Sequence, residues 1–328
     1  MTKQTIYLNS SALKSSGNCF LALSRTLGAT NAGIGYRSMD PMMAADWGTG
    51  FHRFAARYYS DGNYLEGLKE ALKFVSSLPY ELDTIHSEDM LKLVILGYVS
   101  EYQGENLQVC YDADRALKAD EEVKYGKISK EEHEQKLREC SLIEQKFEYP
   151  FFEDEDYKII LFGVLDLICQ YNTDICIMDH KTTTAKSPET YLEAYRLNPQ
   201  MRLYKMVLNR MAKQSPNNAF LEDAKVVING IFLSSKDRYR RSEPFEITEE
   251  EVTEFETSLT NYCKNFIYWL KHTPGMRDGL LTDVCNKPVY GRPCMYKDIC
   301  GAPNRGTASA LLDLNFLKRP YNPNIYDS

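Results

Sequence analysis

The sequence predicts an α/β protein, and three observations carry that reading. Residues 141–182 hold three successive apolar runs, SLIEQKFEYPFF, KIILFGVLDLICQY and DICIMDHKT, the pattern of neighbouring strands. Cap and proline signals then mark helices. Ser187-Pro188 and Asn198-Pro199 each start one, and Thr248 with Glu251 caps a long amphipathic one that stops at Thr273-Pro274-Gly275. Among these helices lies a further apolar run, AKVVINGIFLSS (224–235), so strands and helices interleave.

The remaining elements follow in chain order. Residues 9–27 read as a short helix carrying Cys19. WGTGFHRFAARYY (47–59) is glycine-rich and then helical. Residues 65–140 read as mostly helical, with Ser129 and Glu132 forming a capping box before KLREC. The mixed charges of 118–139 suit a solvated helix face. The last 28 residues, rich in Asn and Pro, read as loop. One domain over 1–328 is expected: N-terminal helices in 1–60, a helical lobe in 61–140, an α/β core in 141–272 and a cysteine-rich segment with its tail in 273–328.

Composition narrows the function classes. With 43% hydrophobic and 26% charged residues the chain is of ordinary globular type, and 328 residues are ample for a large core. A net charge of −7 excludes a uniformly basic, nonspecific nucleic-acid coat but leaves room for a local basic groove. The N-terminal MTKQTIYLNS lacks the apolar core of a signal peptide, and no apolar run approaches the roughly 20 residues that span a bilayer. A cytoplasmic protein, neither secreted nor membrane-bound, is expected. The nine cysteines then read as thiols or metal ligands rather than a disulfide framework.

The stretch IMDHKTTT (177–184) places an acid and a lysine two residues apart at the end of an apolar strand. If Asn172 and Thr173 form a two-residue hairpin loop, paired residues across it include Tyr171 with Asp174 and Asp166 with Asp179. The two aspartates then face each other with Cβ atoms roughly 5 Å apart, and Lys181 shares their face. Opposed like charges are tolerable around a cation, or with one acid protonated. Hard oxygen ligands favour Mg²⁺ or Mn²⁺. His180 falls on the opposite face and reads as packing. The bland alternative is a surface Asp–Lys pair on an edge strand.

With these residues placed, the chain resembles the PD-(D/E)XK nuclease superfamily, and within it the RecB-like branch that includes the AddB nuclease domain and the CRISPR-adaptation exonucleases. GTGFH ending at His52 resembles the GxxxH motif, FGVLD ending at Asp166 the GxxD motif, DHK at 179–181 the (D/E)xK motif, and QMRLY at 200–204 the QxxxY motif. The resemblance implies a restriction-endonuclease-like fold, with a mixed central sheet flanked by helices and a helical insertion. It implies that His52, Asp166 and Asp179 bind the metal, that Lys181 is the catalytic lysine, and that Gln200 and Tyr204, one helix face apart at i and i+4, position the lysine or the DNA. IEQKFEYPF resembles the family's strand before GxxD, which makes Glu144 an accessory acid.

Cys285, Cys294 and Cys300 lie in CNKPVYGRPCMYKDIC, among prolines and a glycine, far from Cys19. One N-terminal and three C-terminal cysteines resemble the iron–sulfur staple of the RecB-like branch. Four thiolates suit a [4Fe–4S] cluster or a structural Zn²⁺. The eight residues between Cys285 and Cys294 depart from the short first gap usual there. Cys110, Cys140, Cys169, Cys176 and Cys263 sit in apolar or helical settings and read as packing. KDRYRR (236–241), with Lys236, Arg238, Arg240 and Arg241, is the one concentrated basic stretch, either a track for a phosphate backbone or a charged hairpin end.

The leading expectation is a Mg²⁺- or Mn²⁺-dependent DNA exonuclease of bacterial or phage origin, acting on ends or single strands in replication, recombination or repair beside a helicase or recombination partner. The alternatives are a noncatalytic DNA-binding or scaffolding domain of the same fold and a structure-selective endonuclease.

Overall fold

The computed structural model describes residues 3–16, 19–30, 33–39, 42–274 and 294–321. A mixed sheet is organised around strand β5 (Tyr157–Tyr171). Strand β1 (Gln4–Leu8) lies parallel to the first part of β5, from Gln4 opposite Tyr157 to Leu8 opposite Leu161. Strands β3 (Leu107–Val109) and β4 (Ile143–Glu153) also pair with β5. The order continues through β6 (Asp174–Thr183), β7 (Lys225–Phe232) and β8 (Tyr239–Arg241). The β5–β6 and β7–β8 pairs are antiparallel, and β6–β7 is parallel. Strands β2 (Ile34–Ser38) and β9 (Phe316–Pro320) form a separate antiparallel pair.

The helices are α1 (Ser10–Ser16), α2 (Phe20–Leu27), α3 (Met43–Asp61), α4 (Tyr64–Ser76), α5 (Glu88–Tyr102), α6 (Ala113–Lys124), α7 (Lys130–Glu139), α8 (Pro188–Glu193), α9 (Pro199–Gln214), α10 (Glu249–His272), α11 (Lys297–Gly301) and α12 (Arg305–Asn315). A parallel pair cannot be closed by a hairpin, and α8 and α9 supply the crossover between β6 and β7. Capping side chains start several helices where the sequence indicates. Ser129 and Glu132 exchange both bonds of a capping box, as do Thr248 and Glu251, and Asn198 accepts from the Gln200 amide.

The chain divides into two compact units. One comprises Met1–Pro41, Lys146–Gly163 and Thr253–Ser328; the other Met42–Gln145 and Val164–Val252. In the second, Trp47, Phe51 and Phe54 of α3 pack with Leu91, Val94, Ile95 and Tyr98 of α5 and with Ile231 and Leu233. Fully burying each large apolar side chain contributes about 1.5–3 kcal/mol, so this cluster fixes α3 firmly. In the first, Phe20 meets Tyr262, Phe266 and Trp269 of α10. A smaller cluster there gathers Ala22, Tyr296, Ile299 and Phe316.

The structure corrects three expectations. The single helix over 9–27 is two, and Cys19 is the N-cap of the second. The strand QTIYL was not anticipated; its alternation, with Ile6 and Leu8 buried, is too short to stand out. The last 28 residues are not all loop, since they contain α12 and β9. Asn304, one of the asparagines that suggested loop, accepts from the Thr307 amide and starts α12.

Candidate active site

The hairpin register follows the two-residue loop, with Tyr171 opposite Asp174 and pairing that runs to Leu167 opposite Met178. Asn172 adopts φ 56°, a left-handed conformation that asparagine tolerates in tight turns. The ladder stops one step before the aspartates. There Asp166 Oδ2 accepts from the His180 backbone N–H at 2.7 Å instead, so a carboxylate replaces a ladder carbonyl where the β5–β6 pairing ends.

Helix α3 brings His52 to this edge. Its Nδ1 lies 3.5 Å from Asp166 Oδ2 and 3.8 Å from Glu144 Oε1. Among the described residues these three form the group whose potential ligand atoms all lie within 4.8 Å of one another. Glu144, on β4, has φ 48°. A left-handed backbone in a non-glycine residue stores strain on the order of 1–3 kcal/mol, and such strain clusters at functional sites. The motif glycines have packing reasons. A Cβ on Gly48 would stand 2.8 Å from Thr182 Oγ1, so glycine there lets α3 approach β6. A Cβ on Gly163 would stand 2.8 Å from the Phe147 ring.

Asp179 is fully buried, and Lys181 Nζ lies 2.6 Å from its Oδ2. That oxygen has no donor aligned with it in hydrogen-bond geometry, so the contact is an ion pair with a lone-pair direction left over. From α9, Gln200 Nε2 approaches Asp179 Oδ1 at 3.4 Å and donates to Tyr204 Oη at 2.7 Å. His52, Glu144, Asp166, Asp179, Lys181, Gln200 and Tyr204 therefore converge within one unit.

The electrostatics follow from burial and charge. Burial pushes Asp179 up to about 6, with the Asp166 charge adding to the rise and Lys181 opposing it. Burial also opposes ionisation of Asp166, but the His52 charge and hydrogen bond outweigh it and hold Asp166 below the usual carboxylate range. Burial disfavours His52 protonation, yet Asp166 and Glu144 outweigh it and raise the imidazole to about 10. Lys181 is likewise held charged against its burial by Asp179 and Asp166.

A model of the PD-(D/E)XK nuclease superfamily matches residues 20–301, most of the chain. The chain belongs to the PD-(D/E)XK nuclease superfamily. Membership implies a nuclease with a DNA substrate and a divalent metal requirement. No curated protein matches the chain significantly.

The site of this PD-(D/E)XK protein does not take in every residue the sequence suggested. Arg241 is not free to reach a phosphate: its side chain is 5% exposed, its guanidinium pairs with both oxygens of Glu105, and it lies 3.9 Å over the Tyr102 ring. The charge run hid this, because strand register rather than composition turns Arg241 inward. Arg240 pairs with Glu189 and Asp237 at the surface. Lys236 is exposed and Arg238 half-buried. Cys19, Cys294 and Cys300 all pack against the cluster of Ala22, Tyr296, Ile299 and Phe316, and Arg25 Nη1 donates to Cys300 Sγ at 3.3 Å. Cys285 lies outside the described residues.

The sequence reading missed the polar residues beneath the site. Asn229 is fully buried, and its signal was visible as the one amide inside the apolar run KVVINGIF. Tyr59, seven residues along α3 from His52, stacks on His180 with rings 5.7 Å apart and 10° from parallel. His180 is buried as packing, and burial depresses it to about 3.

Proposed function

We propose that the protein is a metal-dependent DNA exonuclease that hydrolyses phosphodiester bonds at ends or in single strands, in replication, recombination or repair. The observation that carries this reading is the convergence of two buried carboxylates, an imidazole and a lysine where the β5–β6 ladder ends. The donor set suits Mg²⁺ or Mn²⁺: carboxylate oxygens dominate, and Asp179 Oδ2 has an unused lone-pair direction. Asp166, Asp179 and His52 would hold the ion, with Glu144 as the accessory acid. When bound, the ion would supply Lewis-acid stabilisation and activation of water at neutral pH. Lys181 would hold positive charge beside the scissile phosphate as its negative charge grows. Gln200, which Tyr204 holds in turn, reaches the Asp179 carboxylate from the α9 side, and the pair would keep the lysine and acid in register. Lys236, Arg238 and Arg240 lie near one surface hairpin and would track the DNA backbone.

For the cysteines, the shared apolar cluster supports a staple formed by Cys19, Cys294 and Cys300 with Cys285, holding a [4Fe–4S] cluster. Anaerobically purified protein should be brown with broad absorbance near 400 nm by general iron–sulfur chemistry. Colourless protein holding one zinc per chain would replace the cluster with Zn²⁺.

The nuclease test uses end-labelled single- and double-stranded DNA with Mn²⁺, beside Asp179→Ala and Lys181→Ala. Digestion by wild type, lost in both variants, is the expected result. Binding without cutting would make the domain a scaffold. Nicking of covalently closed circles would make it an endonuclease.

A further inference from the structure

The sheet register lines up three polar side chains behind the site. His180 on β6 is directly paired with Asn229 on β7, and Asn229 with Arg241 on β8. Cross-strand neighbours in one row share a face. By the pleat, that face is opposite the one carrying Asp179 and Lys181.

Hydrogen-bond chemistry gives the row a direction. Arg241 Nε–H can only donate, and it points at Asn229 Oδ1 at 3.2 Å. The Asn229 amide is thereby oriented, so its NH₂ group faces Tyr98 Oη and His180 Nδ1, both at 2.7 Å. His180 Nδ1 must accept, which leaves the ring proton on Nε2. The outer end is anchored too. Arg241 is held by Glu105, and its Nη2 also donates to Tyr59 Oη at 3.1 Å. Tyr59 belongs to α3, the helix that carries His52, and its ring stacks on His180. The row thus ties helix α3 to strand β6. The His180 backbone N–H, in turn, holds Asp166 Oδ2.

We infer that Asn229 and Arg241 are positioning residues: through the tautomer and seat of His180 they set the spacing between the His52 helix and the Asp166–Asp179–Lys181 edge. The inference rests on the metal-site reading above. A row that served only folding would lower stability when broken but leave Mn²⁺ affinity and kcat at wild-type values.

The test is Asn229→Asp, which is nearly isosteric and still accepts from Arg241 but offers His180 Nδ1 an acceptor in place of a donor. Four quantities are measured at a temperature well below the melt: the His180 tautomer by ¹⁵N-resolved NMR, Mn²⁺ affinity by titration calorimetry, and kcat and KM on labelled DNA. The expected result is an Nε2–H tautomer in wild type, its loss in the variant, and a fall of about 10–100-fold in Mn²⁺ affinity or kcat with KM little changed. Leu221→Ala, a buried substitution outside the row, serves as a destabilised control that should keep wild-type kcat. An Nδ1–H tautomer in wild type overturns the inference. So does an altered tautomer with Mn²⁺ affinity and kcat within twofold of wild type. Should Asn229→Asp fail to fold, Glu105→Gln at the outer end of the row takes the same measurements, and unchanged affinity and kcat there overturn it equally. A wild type that binds no Mn²⁺ and cuts no DNA instead overturns the metal-site reading itself.

Discussion

Asp179 is the residue at which stability and activity pull apart. Its folded pKa of about 6 lies above the ordinary value of about 4, so the folded state holds that proton more tightly than the unfolded chain does. A raised carboxyl contributes stability that is full below about pH 4 and is lost as pH rises through about 6. The depressed His180 contributes the opposite slope over the same window, so in EDTA urea melts of wild type should change little between pH 4 and 6, and Asp179→Asn should leave a stability that rises with pH there while abolishing Mn²⁺ binding. An unchanged pH profile in the variant would show that Asp179 is not the source. The glycine of GTGFH is a second residue with a sharp expectation. Gly48→Ala pushes a methyl against Thr182, and overpacking of this kind costs about 1–3 kcal/mol. A lowered melting temperature with nuclease activity also reduced is expected, because α3 carries His52 on the same side, one turn along. A melting temperature equal to wild type would mean that the helix shifts at no cost.

At the scale of elements, the β5–β6 hairpin is the device that brings GxxD and (D/E)xK together. Its turn depends on Asn172 at φ 56°, a conformation that costs most side chains about 1–2 kcal/mol. Asn172→Val should lower stability by at least that amount, and Asn172→Gly should be neutral or mildly stabilising; thermal melts of both distinguish a turn requirement from a side-chain contact. Much of this element was legible in the sequence. Two β-branched runs separated by Asn-Thr fix the register, and the register alone puts Asp166 and Asp179 opposite each other, one step beyond the last pair of the ladder. The rest was hidden for identifiable reasons. The left-handed backbone of Glu144 leaves no mark on composition, since glutamate is not a residue expected there. Arg241 lies in a run that looks uniformly solvated, and only the pairing of β7 with β8 shows that it points inward to Glu105. Strand β9 follows its helix without a break, so LNFLKRP offers no turn signal between them.

For the whole molecule, net charge sets how DNA is held. A chain of net charge −7 repels a polyanion at long range, so binding must come from a few local contacts and should weaken steeply with salt. Each phosphate contact contributes about 0.7–0.9 to the slope of log affinity against log salt. The double variant Lys236→Ala with Arg238→Ala should reduce that slope by about 1.4–1.8; an unchanged slope would place the DNA path elsewhere on the surface. Among the described residues no helix is long and apolar enough to cross a membrane.

Strand β1 has a consequence for how the chain is made. Gln4–Leu8 finds its partner in Tyr157–Leu161, some 150 positions later. At ribosomal rates of about 5–20 residues per second, the nascent segment bearing Ile6 and Leu8 waits on the order of ten to thirty seconds before its docking edge exists. Translation speed and chaperones that hold this segment while it waits should therefore govern yield, and circular permutants that bring the two segments close in sequence should refold faster than the natural order.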